Sequence, residues 1–253
     1  GQATPVLAGE AVVMLSNDSV VYHDADGVEI RGLITAETDP KVDFNDFMVL
    51  AQAFGSSDGA AGFDFRADLN GDSNVDFADF VLFTQDFGRV AVDAPVARRV
   101  SKVLVGANGG AEMSLKVEGA AKMGESLVLM ADVANATQLS GWGLTVSYDA
   151  TKYEFVEATA PEDNLLAQAG DAPLFLVNET VSGELSLASA VAAGQNAAGE
   201  GSVARLVFRP KGDFEGSQFV IAEGVVFDAS SLSNPAIIGE ALEVRAVPTA
   251  FAL

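Results

Sequence analysis

The sequence predicts an α+β multidomain protein, in which a small module of paired loop–helix units precedes an antiparallel β-sandwich. Three observations carry this prediction. The first third contains an internal repeat in which acidic and amide residues precede a segment with helical apolar spacing. From residue 112 onward, short β-patterned runs follow one another without a helical stretch between them. With 49% hydrophobic residues, a chain of 253 has enough apolar side chains for packed cores.

Charge and residue usage restrict the classes of function. The formal net charge of −22 argues against nucleic acid or an anionic membrane as a partner. The chain has no cysteine, which excludes disulfides and thiol chemistry. No apolar run approaches the roughly 20 residues of a membrane helix. We therefore expect a soluble, secreted or surface-attached protein that is held together by its core and by bound metal.

Residues 1–30 alternate apolar runs with turn residues, which predicts short N-terminal β-strands. Within this region, Asp24, Asp26 and Gly27 are consistent with a second acidic turn or with a simple tight turn, and we favour the tight turn. His23 is the only histidine and lies in a strand-like run. Histidine-dependent triads and histidine-rich metal sites therefore have little support.

Residues 42–55 and 75–88 form the internal repeat. The segments VDFNDFMVLAQAFG and VDFADFVLFTQDFG agree at eight of fourteen positions with an offset of 33. Each is expected to form an amphipathic helix that ends at a glycine, Gly55 or Gly88. The two Phe-rich faces are expected to pack on each other, and any part left uncovered is available to a partner. The predicted apolar positions are Phe44, Phe47, Met48, Ala51 and Phe54 in the first helix, and Phe77, Phe80, Val81, Thr84 and Phe87 in the second.

The stretch DLNGDSNVDFAD, residues 68–79, has the spacing of a calcium loop. Oxygen-bearing residues occupy positions one, three, five, seven, nine and twelve, with position seven offering its backbone carbonyl. Two departures from the usual pattern are Ser73, where such loops carry glycine, and Asp at position twelve. The alternative is an acidic, solvated turn. The predicted ligands are Asp68, Asn70, Asp72, Asn74, Asp76 and Asp79.

Shifting this loop back by 33 residues gives a degraded copy. Threonine replaces the first aspartate and Pro40 interrupts the loop, although the three aspartates Asp39, Asp43 and Asp46 still supply carboxylates. A lysine at position seven costs little if only its carbonyl is needed. Calcium binding and its absence are both open here. The candidate ligands are Thr35, Glu37, Asp39, Lys41, Asp43 and Asp46.

The paired units, with Asp-x-Asn-x-Asp and Val-Asp-Phe-x-Asp-Phe, resemble a dockerin module over residues 31–88. This resemblance implies a calcium-folded module that docks on a cohesin, with ligation by the same six residues of the second loop. Partner recognition in better-known dockerins uses small hydroxyl residues at loop positions ten and eleven. Here those positions hold Phe77 and Ala78 in one copy and Phe44 and Asn45 in the other, so that recognition code does not transfer.

Residues 89–111 are predicted to be a linker, with one basic cluster at Arg98, Arg99 and Lys102 and a possible strand at VSKVLV. Residues 112–246 contain nine β-patterned runs, which predicts an antiparallel sandwich. The order GESLVLMADVAN, LSGWGLTVSYDATKYEFVEA and GEGSVARLVFRP resembles a cohesin-like jelly roll. Trp142 is either a sugar-stacking platform or a core residue, and its flanking glycines favour the core.

The last residues, 247–253 (VPTAFAL), resemble the start of a type IX secretion sorting segment, and the alternative is an ordinary tail. No active-site motif assembles, and acidic pairs such as Glu154 and Glu157 are interpreted as a solvated strand face. The chain is therefore predicted not to be an enzyme.

A chain with both a dockerin-like and a cohesin-like module is able to bind copies of itself head to tail, and such contacts need not close. The leading hypothesis is a calcium-dependent extracellular filament or surface layer. Strand exchange by the N-terminal strands or by the tail is a second way to link subunits. The alternative function is a scaffold or adhesin that recruits cohesin- or dockerin-bearing enzymes or binds polysaccharide, without self-assembly.

Overall fold

The computed structural model describes residues 21–36, 39–94, 110–119, 125–170, 172–212, 216–229 and 233–245. Several predicted features lie outside these ranges: the first N-terminal strand, the basic cluster with its possible strand, the C-terminal tail and the candidate ligand Glu37. The domain boundaries that depend on them stay predictions.

The described chain begins with a β-hairpin. Strands β1 (Tyr22–His23) and β2 (Glu29–Ile30) pair antiparallel. The turn between them is held by Asp24, whose Oδ1 accepts hydrogen bonds from the backbone N–H groups of Asp26 and Val28. The Asp24–Gly27 segment is therefore a tight turn, as the sequence indicated.

Two helices follow, α1 (Phe44–Ala53) and α2 (Phe77–Asp86), at the positions that the repeat predicts. Each starts with a capping box, in which an aspartate caps the helix and a second aspartate three residues later bonds back to the cap. Each is followed within two residues by a glycine with positive φ, 80° at Gly55 and 86° at Gly88. The capping pairs are Asp43 with Asp46 and Asp76 with Asp79.

The two loop–helix units make equivalent bridges to each other. Lys41 of the first loop bridges to Val90 after α2, and Asn74 of the second loop bridges to Ser57 after α1. The two bridges are equivalent because Lys41 and Asn74 are 33 residues apart, as are Ser57 and Val90, and 33 is the offset of the repeat. The helices meet through Phe47 and Phe83, whose ring centroids are 6.0 Å apart. The units therefore form one module, residues 21–94 of the described chain.

The predicted apolar face of α2 is wrong in part. Phe77 is 66% exposed and Val81 is 39% exposed, whereas Phe83 supplies the buried contact. The equivalent residues of α1, Phe44 and Met48, are 4% and 1% exposed. The difference arises because α1 has an additional partner in the rest of the chain, while that face of α2 remains uncovered.

The described residues between 112 and 245 form the predicted sandwich, in which every strand pair is antiparallel except the short pairing of Ile237–Ile238 with Glu112–Met113. The strands are β3 (Glu112–Val117), β4 (Leu127–Tyr148), β5 (Tyr153–Thr159), β6 (Leu174–Val181), β7 (Glu184–Ala190), β8 (Ala197–Pro210), β9 (Ser217–Asp228), β10 (Ser233–Pro235), β11 (Ile237–Ile238) and β12 (Leu242–Val244). One sheet contains β6, β7, the second half of β4 and β9, with β10 and β12 both paired to β9. The other contains β5, β8, the first half of β4, β3 and β11. A 3-10 helix at Leu165–Ala169 was not predicted.

Strand β4 runs through both sheets, where the sequence suggested two separate strands. It changes sheets near Asn135, which has a φ of 58°, and its pairing with β8 shifts register there. Trp142 is 1% exposed and belongs to the sandwich core, with an edge-on contact to Phe175. The core interpretation of Trp142 is confirmed, and its ring is not available for stacking on a sugar.

Candidate functional site

The backbone of the second loop is organised around one buried carboxylate. Asp68 is buried, and its carboxylate accepts hydrogen bonds from the N–H groups of Gly71, Asp72 and Ser73 at 2.8–3.1 Å. Gly71 and Ser73 have positive φ of 78° and 72°. The chain thereby curls around the Asp68 carboxylate, and the unusual Ser73 occupies the conformation for which glycine is the ordinary choice.

Asp79 closes the other end of this loop. Its Oδ1 accepts from the N–H groups of Leu69 and Asn70, and its Oδ2 accepts from that of Asp76. The side chain is fully buried, and this burial raises its pKa above the ordinary value. Asp79 therefore ties the start of the loop to the start of α2.

The middle residues of the loop bond to one another. Asn70 donates to Asp72 Oδ2 at 3.0 Å, and Asn74 donates to Asp72 Oδ1 at 3.2 Å. These bonds lower the pKa of Asp72. Within the described ranges, no group of three or more acidic or histidine side chains is arranged to hold a metal ion. The carboxylate and amide oxygens of this loop are donors of the kind that calcium prefers. Calcium binding here stays a prediction, and the chemistry of the residues fits it.

The first loop is closed differently. Asp46, the equivalent of Asp79, accepts from both the N–H and the Oγ1–H of Thr35, at 2.6 and 2.8 Å, and from the N–H of Asp43 at 2.8 Å. Burial raises the pKa of Asp46 to about 7 despite these donors. Asp39 Oδ1 accepts from the N–H of Lys41. The structure thus places a hydroxyl donor where a calcium loop has its first ligand.

The sandwich presents a surface of small residues to the module. At its centre, Gly141 pairs with Ala190, and Gly143 pairs with Ala188, all with their outward side towards the helices. Larger apolar residues flank this centre on the neighbouring strands β6 and β9. We call this surface the helix-binding face; its apolar residues are Gly141, Gly143, Leu174, Leu176, Ala188, Ala190, Val225 and Phe227.

Helix α1 packs on the helix-binding face of its own chain. A Cβ added to Gly143 would lie 2.6 Å from Cδ2 of Phe44, and one added to Gly141 would lie 2.8 Å from Sδ of Met48. Both distances are shorter than a real side chain tolerates, so the bare backbone at these two glycines is what admits the helix. Two glycines in a strand otherwise weaken it. Their outward position explains the Gly-Trp-Gly segment, whose tryptophan points into the sandwich.

A polar border lies next to this apolar contact. Asn178 of β6 donates through Nδ2 to the backbone carbonyl of Phe87 at 3.1 Å, which links the end of α2 to the sandwich. Thr145 and Ser186 extend the small-residue rows, with their hydroxyl oxygens 3.2 Å apart. Asp39, Lys41 and Asp43 of the first loop line a cavity here together with these hydroxyls and Glu223. The first repeat thus meets the sandwich through both its helix and its loop.

Other predicted candidates lie away from this contact. His23 is paired with Asp93 at 2.9 Å, on the surface of the module. Glu154 and Glu157 are exposed on β5, and Glu154 pairs with Arg209 at 3.0 Å. They form a solvated strand face, as expected. None of the helices in the described ranges has the length and the apolar character that a membrane span requires.

Comparison with known proteins finds a similarity in the sandwich. Residues 112–236 match the family model of the cohesin domain. A search of curated proteins finds no match to the chain. The sandwich is therefore cohesin-like.

Several solved structures are similar to the chain. The sixth cohesin of scaffoldin B from Acetivibrio cellulolyticus, solved with a Cel5 dockerin mutant, is 20% identical, with 55% of this chain and 99% of that chain covered and a TM-score of 0.46. A type II cohesin domain from the same organism's cellulosome is 16% identical, with 53% and 95% covered and a TM-score of 0.45. A non-cellulosomal cohesin from Archaeoglobus fulgidus is 16% identical, with 54% and 92% covered and a TM-score of 0.43.

Proposed function

We propose that this chain is a non-catalytic, extracellular structural protein whose subunits associate head to tail. In the assembly, α1 of one molecule occupies the helix-binding face of the next. The observation that supports this proposal is the close fit of Phe44 and Met48 over Gly143 and Gly141. The same contact, made between molecules, leaves one free helix and one free face at the two ends of every oligomer, which is the condition for open growth.

The connection between the two halves is long enough for this exchange. Ala94 ends the described part of the module and Gly110 begins that of the sandwich. Residues 95–109 span at most roughly 50 Å when fully extended. The intramolecular contact then competes with the intermolecular one, and protein concentration decides the balance.

In this proposal calcium binds at the second loop through Asp68, Asn70, Asp72, Asn74, Asp76 and Asp79. The ion would neutralise part of the large negative charge and brace α2, against which α1 packs. Extracellular calcium at millimolar concentration fills even a modest site of this kind. The second loop would accordingly be occupied outside the cell, where that supply exists.

Cross-linking between two single-cysteine variants tests the exchange, because the natural chain has no cysteine. Met48 Sδ and Ala190 Cβ lie 2.8 and 3.1 Å from the same point beside Gly141. Met48→Cys and Ala190→Cys molecules are mixed and treated with a short bismaleimide. A covalent heterodimer is expected, and negative-stain microscopy of the untreated protein should show linear polymers. If only the double variant cross-links, and does so within one chain, the contact does not exchange and the head-to-tail proposal is wrong.

The second candidate is a scaffold or adhesin module that uses the helix-binding face for dockerin-bearing partners. The match of residues 112–236 to the cohesin domain favours it, because such a sandwich can act as an interaction module without self-assembly. Here the resident α1 would compete with the incoming helix. Size-exclusion chromatography distinguishes the candidates: a monomer at all concentrations that captures a separate dockerin-like module supports the scaffold.

A further inference from the structure

We infer that the first repeat holds α1 in place without a metal ion, so that the contact of α1 with the helix-binding face does not depend on calcium. The inference deepens the proposed function by assigning calcium to one repeat and sandwich binding to the other. It stands on the difference between two loops at equivalent positions of the 33-residue repeat, and only its bearing on assembly rests on the proposed function.

The first loop cannot adopt the backbone conformation of the second loop. Position six of the second loop is Ser73, at a φ of 72°. The equivalent position of the first loop is Pro40, whose ring fixes φ near −65°. The first loop therefore cannot adopt the curl that brings the second loop around Asp68.

A hydrogen bond that sustains this curl has neither its acceptor nor its donor in the first loop. In the second loop the carboxylate of Asp68 accepts from the N–H of Ser73 at 2.9 Å. At the equivalent positions of the first loop, Thr35 has no carboxylate to accept, and Pro40 has no N–H to donate. Thr35 and Pro40 would each damage a calcium loop. They are compatible with each other in a loop that binds no calcium.

Thr35 also supplies a positive replacement. Its N–H and its hydroxyl both donate to Asp46 Oδ1, at 2.6 and 2.8 Å, and join loop positions one and twelve directly. In a calcium loop these two positions are joined through the ion. Asp46 is fully buried, so donors in its vicinity are necessary to satisfy it. The hydroxyl of Thr35 performs the bridging that a cation would otherwise perform.

The helix that contacts the sandwich is α1, which follows the first loop. Asp46 and Asp43 form the capping box of α1, and Phe44, between them, is the residue that fills the space over Gly143. The start of α1 is therefore fixed by hydrogen bonds within the first repeat. The second loop instead precedes α2, and at the end of that helix Asn178 of the sandwich donates a hydrogen bond to the carbonyl of Phe87.

Calcium titration of the intact chain by calorimetry is the first test, with calcium chloride as the only ligand. The expected result is one ion per chain, which is lost in Asp79→Asn. Two ions per chain in the unmodified protein would overturn the inference. A complete lack of calcium binding would remove calcium from the proposed function while leaving the first loop metal-free, as inferred.

The intrachain cross-link of the Met48→Cys/Ala190→Cys double variant is the second test, run in calcium and in excess chelator. The inference expects the same yield in both, within about twofold. A yield that collapses in chelator and returns with calcium would show that the ion holds α1 on the face, and the inference would then be wrong. Failure of the two single variants to exchange affects the head-to-tail proposal alone, so the two ideas fail separately.

Discussion

Replacing Gly143 with alanine tests whether a bare strand backbone holds α1 on the sandwich. The new Cβ would lie 2.6 and 2.7 Å from Cδ2 and Cδ1 of Phe44. Carbon atoms in ordinary contact are about 3.5–4.0 Å apart, so the helix must move by about 1 Å or the ring must leave its position. Overpacking of this kind costs about 1–3 kcal/mol. The sandwich core lies on the opposite side of β4, around Trp142, and should be unaffected.

Hydrogen–deuterium exchange of the α1 amides is the appropriate assay, because it reports the opening of this contact separately from global unfolding. A loss of about 1–3 kcal/mol corresponds to exchange that is roughly 5- to 150-fold faster in α1, at a factor of ten per 1.4 kcal/mol. Amides in β4, β7 and β8 should keep their wild-type protection. Gly212→Ala is the matched control, since nothing lies within 4 Å of a Cβ added there.

A double-mutant cycle with Phe44→Ala completes the experiment. Phe44 is 4% exposed, so its truncation alone should cost about 3–5 kcal/mol of α1 protection. In the Gly143→Ala background the same truncation should cost less, because the new methyl group no longer meets a ring. If Gly143→Ala exchanges like Gly212→Ala, or if the two substitutions are additive, α1 does not occupy this face in solution and the reasoning is refuted.

Three further predictions concern the module itself. Ser73→Gly should raise the free energy of unfolding by about 1 kcal/mol, because serine is strained at a φ of 72°, and chemical denaturation measures this gain. Thr35→Val should lower the thermal midpoint of the module, because it removes a hydroxyl donor from buried Asp46 at a cost of about 1–3 kcal/mol. Thr35→Ser keeps the hydroxyl and should retain most of the stability. Equal midpoints for the two variants would contradict the bridging role. Phe77→Ser should change stability by less than about 0.5 kcal/mol in denaturation, since the ring is 66% exposed, and a larger loss would mean that the ring is covered in solution.

The local features of this protein could be predicted from the sequence because the chain repeats them. Two segments 33 residues apart carry the same capping aspartates and the same terminal glycine, so both helices were expected within about two residues of where they occur. Alternating patterns likewise predicted the principal strands, although β4 was divided in two. The division followed Gly141, which looks like a strand break when its structural partner is unknown. It is in fact a contact point within a continuous strand.

The packing of the module on the sandwich was not predictable in the same way. The sequence suggested that helices and sandwich bind each other, but placed that contact between molecules, whereas the structure contains it within one chain. Sequence identity between the repeats gave no reason for Phe44 to be buried and Phe77 to be exposed. That asymmetry is produced by strand pairing, which brings Gly143 beside Ala188 over a long sequence separation. A small-residue surface of this kind becomes visible only after the register of four strands is known.

The composition of the helix-binding face also explains why something must cover it. Gly141 and Gly143 reduce the intrinsic stability of a central strand, and the apolar residues around them would form an exposed patch if the module were absent. The burial of Phe44 and Met48 offsets both costs. The face is therefore built for a helix with an aromatic and a flexible apolar side chain one turn apart. Whether that helix belongs to the same molecule or to a neighbour changes the assembly but not the contact, so substitutions at the two glycines should weaken monomer and polymer alike.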